Sequence, residues 1–140
     1  MKPNIFESLY ADAVKKHPRH FSFGEPPSSI EVVEDAARKL NVRFPSAYRT
    51  FLITHGSGEI AFALVYSPDP ASYWDIVKQN AKRNDSEEFY AFSDDQCGNY
   101  FGFSRKGGEN VYIYDHEKGG WGNSEYADFY EYFADLSFRD

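Results

Sequence analysis

The sequence predicts an α+β fold, in which helices pack against an antiparallel sheet of about four to six strands. Apolar residues recur at helical spacing between residues 4 and 55, and short aromatic segments with a period of two begin after residue 58. A last apolar stripe at helical spacing lies between residues 126 and 136. Helices before and after a run of short strands are typical of this class, because they can cover one face of the sheet.

The first helix is predicted over residues 4–16 and is followed by a proline-rich loop. Phe6, Leu9 and Ala13 form one apolar stripe on this helix. Residues 17–29 contain Pro18, Gly24, Pro26 and Pro27, which interrupt regular structure. We expect the loop to be anchored by Phe21 and Phe23.

The next helix is predicted to begin after Ser28, which precedes Glu31 by three residues, the spacing of a capping box. The apolar face of this helix consists of Ile30, Val33, Ala37 and Leu40. Its charged residues lie four apart and predict two surface ion pairs, Glu34 with Arg38 and Asp35 with Lys39.

The third helix lies within residues 44–58, which read FPSAYRTFLITHGSG. Pro45 suits the first turn, and the apolar stripe consists of Tyr48, Phe51, Leu52 and His55. The corner that follows has a serine between glycines, but a nucleophile elbow has the pattern G-x-S-x-G between a strand and a helix. We therefore interpret Gly56 as the left-handed residue that ends the helix.

The pattern changes to a period of two after Gly58. Alternating side chains predict one strand over residues 60–66, with Ile60, Phe62, Leu64 and Tyr66 on the buried face. Asp69 and Pro70 are predicted to begin another helix, which presents Trp74, Val77 and Ala81 on one side.

Three short strands are then predicted over residues 89–92, 99–104 and 111–116. The turn sequences DDQCG and RKGGE join them, and residues 118–122 are predicted to be a further turn. A closing helix follows, with an apolar stripe of Tyr126, Phe129, Phe133 and Leu136.

The composition excludes several classes of protein. A chain of 140 residues with 41% hydrophobic residues predicts a single domain over residues 1–140. The 15 basic and 22 acidic residues give a net charge of −7, which disfavours nucleic acid as a partner. The lone Cys97 excludes an intramolecular disulfide. Because we find neither a signal peptide nor a membrane-spanning apolar run, we predict a cytoplasmic protein with no membrane partner.

Candidate catalytic and metal-binding groups lie close to the strand turns. Cys97 could pair with His116 and Asp115 as an activated nucleophile. However, the carboxylates of Asp94 and Asp95 come directly before Cys97 and disfavour a reactive thiolate. The same carboxylates do not follow the calcium-loop spacing, and acidic residues are common in turns because they hydrogen-bond locally. We therefore predict no catalytic residue, no metal site and no cofactor.

The residues near the strand turns are instead predicted to form a protein-binding surface. Acidic residues are concentrated at Asp85, Glu87, Glu88, Asp94 and Asp95. A second acidic stretch consists of Glu125, Asp128, Glu131, Asp135 and Asp140. Tyrosine and tryptophan are favoured anchors in interfaces. The predicted partner-binding residues are Glu87, Glu88, Tyr90, Asp94, Asp95, Tyr100, Trp121 and Tyr126.

The segment IEVVEDAARKLNVRFPSAYRTFLITHGSGEI, residues 30–60, resembles the N-terminal signature of the SUKH superfamily of the Smi/Knr type. In that signature a capped helix with a glutamate is followed by a hydrophobic-Pro pair and a Tyr-x-x-Phe-Leu helix that ends in Asn-Gly. The matching residues are Ile30, Glu34, Leu40, Phe44, Pro45, Tyr48, Phe51, Leu52 and Gly56. Asn41 replaces the usual glycine and can also adopt a left-handed cap, whereas His55 replaces the usual asparagine.

Two later segments extend this resemblance over about residues 28–136. SDDQCGNYFGF and VYIYDHE are similar to the second block of the superfamily, and ADFYEYF is similar to its closing helix. The resemblance implies an α+β fold without catalytic residues. It also implies an immunity protein, which neutralises a polymorphic or contact-dependent toxin by binding it directly.

The acidic charge agrees with a basic toxin domain, such as a nuclease, as the partner, because opposite charges accelerate association. Two alternatives remain open at this point. One is a regulatory or ligand-sensing domain of the Smi/Knr type, with a pocket near Trp74 and Tyr66. The other, more remote, is a small hydrolase that uses Cys97 and His116.

Overall fold

The computed structural model describes residues 1–83 and 86–139, and within them it contains five α-helices and two antiparallel sheets. The helices are α1 (Pro3–Lys16), α2 (Ile30–Leu40), α3 (Ser46–Thr54), α4 (Ile76–Ala81) and α5 (Phe129–Ser137). The strands are β1 (Gly58–Ile60), β2 (Ala63–Val65), β3 (Phe89–Asp94), β4 (Tyr100–Ser104), β5 (Tyr112–Asp115) and β6 (Gly120–Asn123). The α+β class is confirmed.

The larger sheet is an antiparallel meander in the order β3-β4-β5-β6. Its first three strands are those that the sequence predicts, but the predicted turn over residues 118–122 is wrong, because residues 120–123 form β6. Gly120 and Gly122 have low strand propensity, yet the register of β5 places Trp121 opposite Tyr114, and the two rings pack 5.7 Å apart. Cross-strand pairing therefore overrides local propensity.

The strand predicted over residues 60–66 is instead a hairpin of β1 and β2. Ile60 pairs with Ala63, which leaves a two-residue turn, and Ala61 adopts a positive φ of 53° in that turn. The Ala61 backbone N–H donates to the carbonyl of His20 at 2.6 Å, a contact that no local pattern indicates. The turn reverses the chain and turns Phe62 outwards, so the prediction of Phe62 as a buried residue is wrong.

The helix starts differ from their predicted positions by a few residues. Ser29, not Ser28, caps α2, since its hydroxyl accepts from the Val32 N–H at 3.2 Å. Asp75 caps α4 by accepting from the Val77 N–H at 3.0 Å. The helix predicted from Asp69 does not form there, because its carboxylate closes a turn by accepting from the Ala71 N–H. Tyr126 precedes α5, which Asp128 caps.

Tertiary contacts also change the predicted ion pairs of α2. Asp35 accepts from both Arg38 and Lys39, at 3.1 and 3.2 Å. Glu34 instead pairs with Arg49 of α3 at 2.8 Å, so the predicted pair with Arg38 is wrong. The predicted left-handed cap at Asn41 is confirmed, with φ 56°.

One hydrophobic core joins the helices to the larger sheet. The ring of Phe6 on α1 stacks on Tyr130 of α5 at 4.3 Å and meets Phe51 of α3 edge to face at 6.1 Å. On the sheet side, Phe92 stacks on Phe103 at 4.4 Å. Besides Phe62, large residues that the sequence places on apolar faces or uses as anchors are exposed at three further positions: Leu9, Phe23 and Ile30.

Candidate partner-binding surface

The His55–Gly58 corner is the end of α3, as predicted. Gly56 has φ 110°, and a Cβ at this position would lie 2.0 Å from the carbonyl oxygen of Glu25. Ser57 is buried. Its backbone N–H donates to the carbonyl of Glu25, and its carbonyl accepts from the Glu25 N–H. These contacts join the loop before α2 to β1 and leave no room for a substrate at Ser57, so the corner has a structural role.

His55 connects the end of α3 to α1. Its Nε2 lies 2.7 Å from Oε1 of Glu7, and its ring stacks on Tyr10 with centroids 3.7 Å apart. Burial lowers the pKa of His55 below its ordinary value of 6.5, and the carboxylate of Glu7 offsets this only in part. The folded protein therefore favours the neutral imidazole.

We expect the stability of the protein to fall with acid because of His55. Since the folded state holds this proton less tightly than the unfolded state, the contribution of His55 is fully present above pH 6.5 and is lost as the pH falls through its lower folded pKa. The free energy of unfolding, measured in urea at neutral and mildly acidic pH, should fall less in His55→Phe than in the wild type. Equal falls in the two proteins would assign the acid sensitivity to other groups.

The remaining catalytic candidates are not assembled into a catalytic or metal site. His116 holds its ring Nδ1 2.7 Å from Oδ1 of Asn99, and within residues 1–83 and 86–139 no hydrogen bond joins it to the thiol of Cys97. The same residues contain no group of three or more metal-ligating side chains. Asp115, the third member of the candidate nucleophile group, closes its own turn by accepting from the Glu117 N–H.

Two turns project from one end of the larger sheet, which we call the turn end. Residues 95–99 join β3 to β4, and residues 116–119 join β5 to β6. Both lie at the same end because alternate strands of a meander run in the same direction. Asn99 connects them, since its Oδ1 also accepts from the His116 backbone N–H at 3.0 Å.

The eight residues predicted to bind a partner do not form one surface. Four of them lie at the turn end: Asp94, Asp95, Tyr100 and Trp121. Glu87, Glu88 and Tyr126 lie at the opposite end, about 17 Å away along β3. Tyr90 is only 1% exposed, so its ring belongs to the core. Asp85 and Asp140 of the acidic stretches are outside the described residues.

Two of the predicted acidic residues at the turn end, Asp94 and Asp95, are held in place by hydrogen bonds. Asp94 accepts from the Tyr66 hydroxyl at 2.5 Å, and Asp95 accepts from the backbone N–H groups of Cys97 and Asn99. Burial opposes ionisation of Asp95, but the donated hydrogen bonds outweigh it and hold its pKa below the ordinary value. The Asp95 carboxylate is therefore a fixed negative charge on an exposed turn.

An open cavity of about 330 Å³, which we call the turn-end cavity, lies beside these acids. Its lining includes His20, Phe23, Glu59, Phe62, Asp94 and Asp95. Phe23 is 79% exposed and Phe62 is 66% exposed. Neither was predicted as a surface residue. Phe23 was expected to anchor its loop, and for Phe62 a period of two identifies two faces of a strand but not a reversal of the chain at Ala61.

The face of the sheet opposite the core carries a second group of aromatic residues at the turn end. Tyr100, Tyr114 and Trp121 are directly opposite one another on β4, β5 and β6. The guanidinium carbon of Arg83 lies 3.3 Å from the Tyr100 ring centroid, 5.2 Å from that of Tyr114 and 5.5 Å from that of Trp121. We call these three rings the aromatic cage.

A larger cavity, of about 460 Å³, lies at the start of α3, far along the chain from the turn-end residues. Val33 and Phe44 are among its apolar lining residues, and Arg38, Arg43 and Arg49 line its basic part. Glu109 closes one side by accepting from the N–H groups of Ser46 and Ala47. A ligand pocket was also predicted near Trp74 and Tyr66. Tyr66 is fully buried in the core, so its ring does not line an open pocket.

Comparison with known proteins assigns the family. The SUKH_6 family model, described as SMI1-KNR4 cell-wall, matches residues 30–133. This chain belongs to that family. The matched region of this SUKH_6 chain begins at α2 and ends within α5, so it includes the turn end and the aromatic cage.

A solved structure has the same fold as this SUKH_6 chain. It is a protein from Pseudomonas syringae pv. tomato, and it matches with a TM-score of 0.69 over 91% of this chain and 98% of that chain. Sequence identity is 10%, so the match shows a shared fold and nothing about activity. None of the curated protein sequences matches this chain significantly. Among the described residues, no helix has the length and hydropathy of a membrane span.

Proposed function

We propose that this SUKH-type chain is a protein-binding module, and that it acts as an immunity protein whose turn end binds a basic toxin domain. The observation that carries the proposal is the pair of exposed phenylalanines, Phe23 and Phe62, beside the carboxylates of Glu59 and Asp95. Family membership supports a binding role, because SUKH domains are generally non-enzymatic binding modules. The proposal assigns no catalytic residue.

The apolar part of this surface has the features of an interface centre. Two large apolar side chains that line one open cavity and are this exposed indicate a surface that contacts a partner, and a polar rim around them is typical of interfaces. The local backbone supports this interpretation, since Ala61 and Gln96, which both line the turn-end cavity, have positive φ without being glycine. Such strained positions are concentrated at functional sites.

The charge of the chain supports a basic partner. The net charge is −7, and the turn-end cavity is lined by the carboxylates of Glu59, Asp94 and Asp95, of which Asp95 is held in place by hydrogen bonds. Complementary charge accelerates the association of two proteins and suppresses binding of other acidic proteins. A basic toxin domain, such as a nuclease, therefore fits both the charge and the resemblance to immunity proteins.

Relief of toxicity is the experiment that tests this function. The chain is used as bait in its native lysate, and basic polypeptides retained at low salt are then expressed with and without it. We expect one of them to arrest growth alone and to be tolerated when the chain is co-expressed. If every retained polypeptide is equally toxic with and without the chain, the proposed immunity function is wrong.

We expect the acids of the turn end to contribute more to binding than those at the other end of β3. The double variant Glu59→Gln/Asp95→Asn should slow association with the basic partner by about ten-fold at low salt and weaken its salt dependence. Asparagine at position 95 keeps an oxygen that can accept from the Cys97 and Asn99 N–H groups. Association rates are measured by stopped flow at several salt concentrations.

The matched control for this experiment is Glu87→Gln/Glu88→Gln, which removes the same two charges at the opposite end of the sheet. Both control residues are exposed. A control that slows association as much as the first double variant would mean that net charge alone guides the partner and that the turn end is not its binding site.

Ligand sensing is a second candidate function, and the cavity at the start of α3 favours it. Its volume of about 460 Å³ suits a small molecule. Arg43 in its lining suits an anionic group on an apolar body, whereas Arg49 is already paired with Glu34. A saturable rise in the melting temperature with medium-chain fatty acids, lost in Arg43→Gln, would support sensing. This cavity is separate from the turn end, so the two functions can be tested independently.

A further inference from the structure

We infer that the aromatic cage of Tyr100, Tyr114 and Trp121 is a guanidinium-binding site, which Arg83 occupies in the free protein and an arginine of the partner occupies in the complex. The second half of this inference rests on the proposed function, since it takes the partner to be a basic protein. The first half concerns this chain alone. Together they specify the chemistry by which the turn end recognises its partner.

The strand register builds the cage. Asp94, Tyr100, Tyr114 and Trp121 are successive cross-strand neighbours on β3 to β6, so their side chains share one face of the sheet. The three aromatic residues are half-buried, which leaves part of each ring accessible. Gly102 lies beneath the indole, since a Cβ there would be 2.8 Å from Cη2 of Trp121. The sheet therefore holds the rings at fixed positions.

The position of Arg83 identifies the preferred ligand. Its guanidinium carbon is 3.3 Å from the Tyr100 centroid, close enough for the flat group to lie against the ring, and both other rings are within 6 Å. Aromatic faces attract cations through their negative charge density, and a planar guanidinium stacks on them better than an ammonium does. Asp94 in the same row adds a carboxylate, which further favours a cation.

Exchange of one arginine for another is feasible at this position. Arg83 follows α4, which ends at Ala81, so it reaches the cage from a short segment after the helix. Arg83 and the three rings are all partly exposed, so an arginine presented by a docked partner at high local concentration can compete with Arg83 for the ring faces. The cage also adjoins the acids of the turn end, because Asp94 belongs both to the row and to the turn-end cavity.

The test uses methylguanidinium as the probe and the indole N–H signals of the chain as the readout. The two tryptophans give two indole signals, and Trp74 serves as the internal reference for Trp121. We expect Arg83→Ala to bind methylguanidinium about ten-fold more tightly than the wild type, with a saturable shift of the Trp121 signal alone. Methylammonium at the same ionic strength should bind more weakly.

Lys118→Ala is the charge-matched control, since it removes one positive charge from the β5–β6 turn at the same end of the sheet. It should bind the probe as the wild type does. Arg83→Gln repeats the experiment with a longer neutral side chain, should the alanine variant fail to fold. Adding Tyr114→Leu to either Arg83 variant should abolish the saturable shift.

Two results would overturn the inference. One is an unsaturable or unchanged Trp121 signal in folded Arg83 variants, which would make Arg83 a structural residue only. The other is equal binding in Arg83→Ala and Lys118→Ala, which would reduce the effect to net charge. Because the probe experiment needs no toxin, it can succeed where the immunity test fails. A third result is that the cage binds the probe while the partner binds Arg83→Ala and Lys118→Ala with the same affinity. That result would overturn only the replacement of Arg83 by an arginine of the partner, and the guanidinium site would stand.

Discussion

Replacement of Gly56 by alanine is expected to lower the free energy of unfolding by about 3 kcal/mol or more. The residue has φ 110°, and the added Cβ would lie 2.0 Å from the carbonyl oxygen of Glu25. To relieve that contact, the end of α3 must move away from the loop before α2. The move breaks the backbone pairing of Glu25 with Ser57, whose shorter hydrogen bond is 2.7 Å. Urea unfolding should show a lower midpoint with an unchanged slope.

Gly108→Ala is the matched control, since Gly108 also has a positive φ, 92°, but a Cβ there meets nothing within 4 Å. It therefore reports the backbone strain alone, which we expect to cost about 1 kcal/mol. The difference between the two variants measures the close approach of Gly56 to Glu25. If both variants lose the same stability, the corner is less tightly packed than its geometry indicates.

Replacement of Phe62 by alanine is expected to weaken binding of the basic partner by about 30-fold, or roughly 2 kcal/mol, as for an aromatic residue at an interface centre. The side chain is 66% exposed at the tip of the β1–β2 hairpin, so its removal leaves no cavity in the core. Stability should therefore change by less than about 0.5 kcal/mol. Affinity is measured by calorimetry, and stability by urea unfolding of the same samples.

Ile5→Ala is the control for a general effect of exposed apolar side chains. Ile5 is 49% exposed in the first turn of α1, about 17 Å along the helix from its last residue, Lys16, and it does not line the turn-end cavity. We expect it to bind the partner as the wild type does. Wild-type affinity in Phe62→Ala would remove the hairpin from the interface and leave the aromatic cage as the remaining candidate at the turn end.

Most of the helical structure could be predicted from the sequence. Helices α2, α3 and α5 form close to their predicted positions, and Gly56 and Asn41 end their helices with positive φ. These features depend on side chains and backbone groups within a few residues of one another, so a local pattern contains the information. The cap of α2 lies one residue later than predicted, at Ser29, because two adjacent serines offer the same hydroxyl.

The candidate site could be predicted only in part. Asp94, Asp95, Tyr100 and Trp121 do lie together, because the turns of a meander return to the same end of the sheet. Tyr90 was misassigned, since alternation along β3 does not say which face packs on the helices. Phe62 and Arg83 carry no local signal at all. The first depends on a chain reversal, and the second on the approach of α4 to the sheet.

The sequence by itself determined the α+β class and the C-terminal ends of α2 and α3, because both follow from short-range spacing and capping. The family followed from the resemblance of whole segments to the SUKH superfamily. The tertiary structure alone decided which aromatic side chains are exposed, since that depends on which face of each strand the helices cover. It also decided the long-range pairs, such as Glu34 with Arg49 and Arg83 with Tyr100. Charge and aromatic residues recur along the whole chain, and only packing brings particular ones together at the turn end.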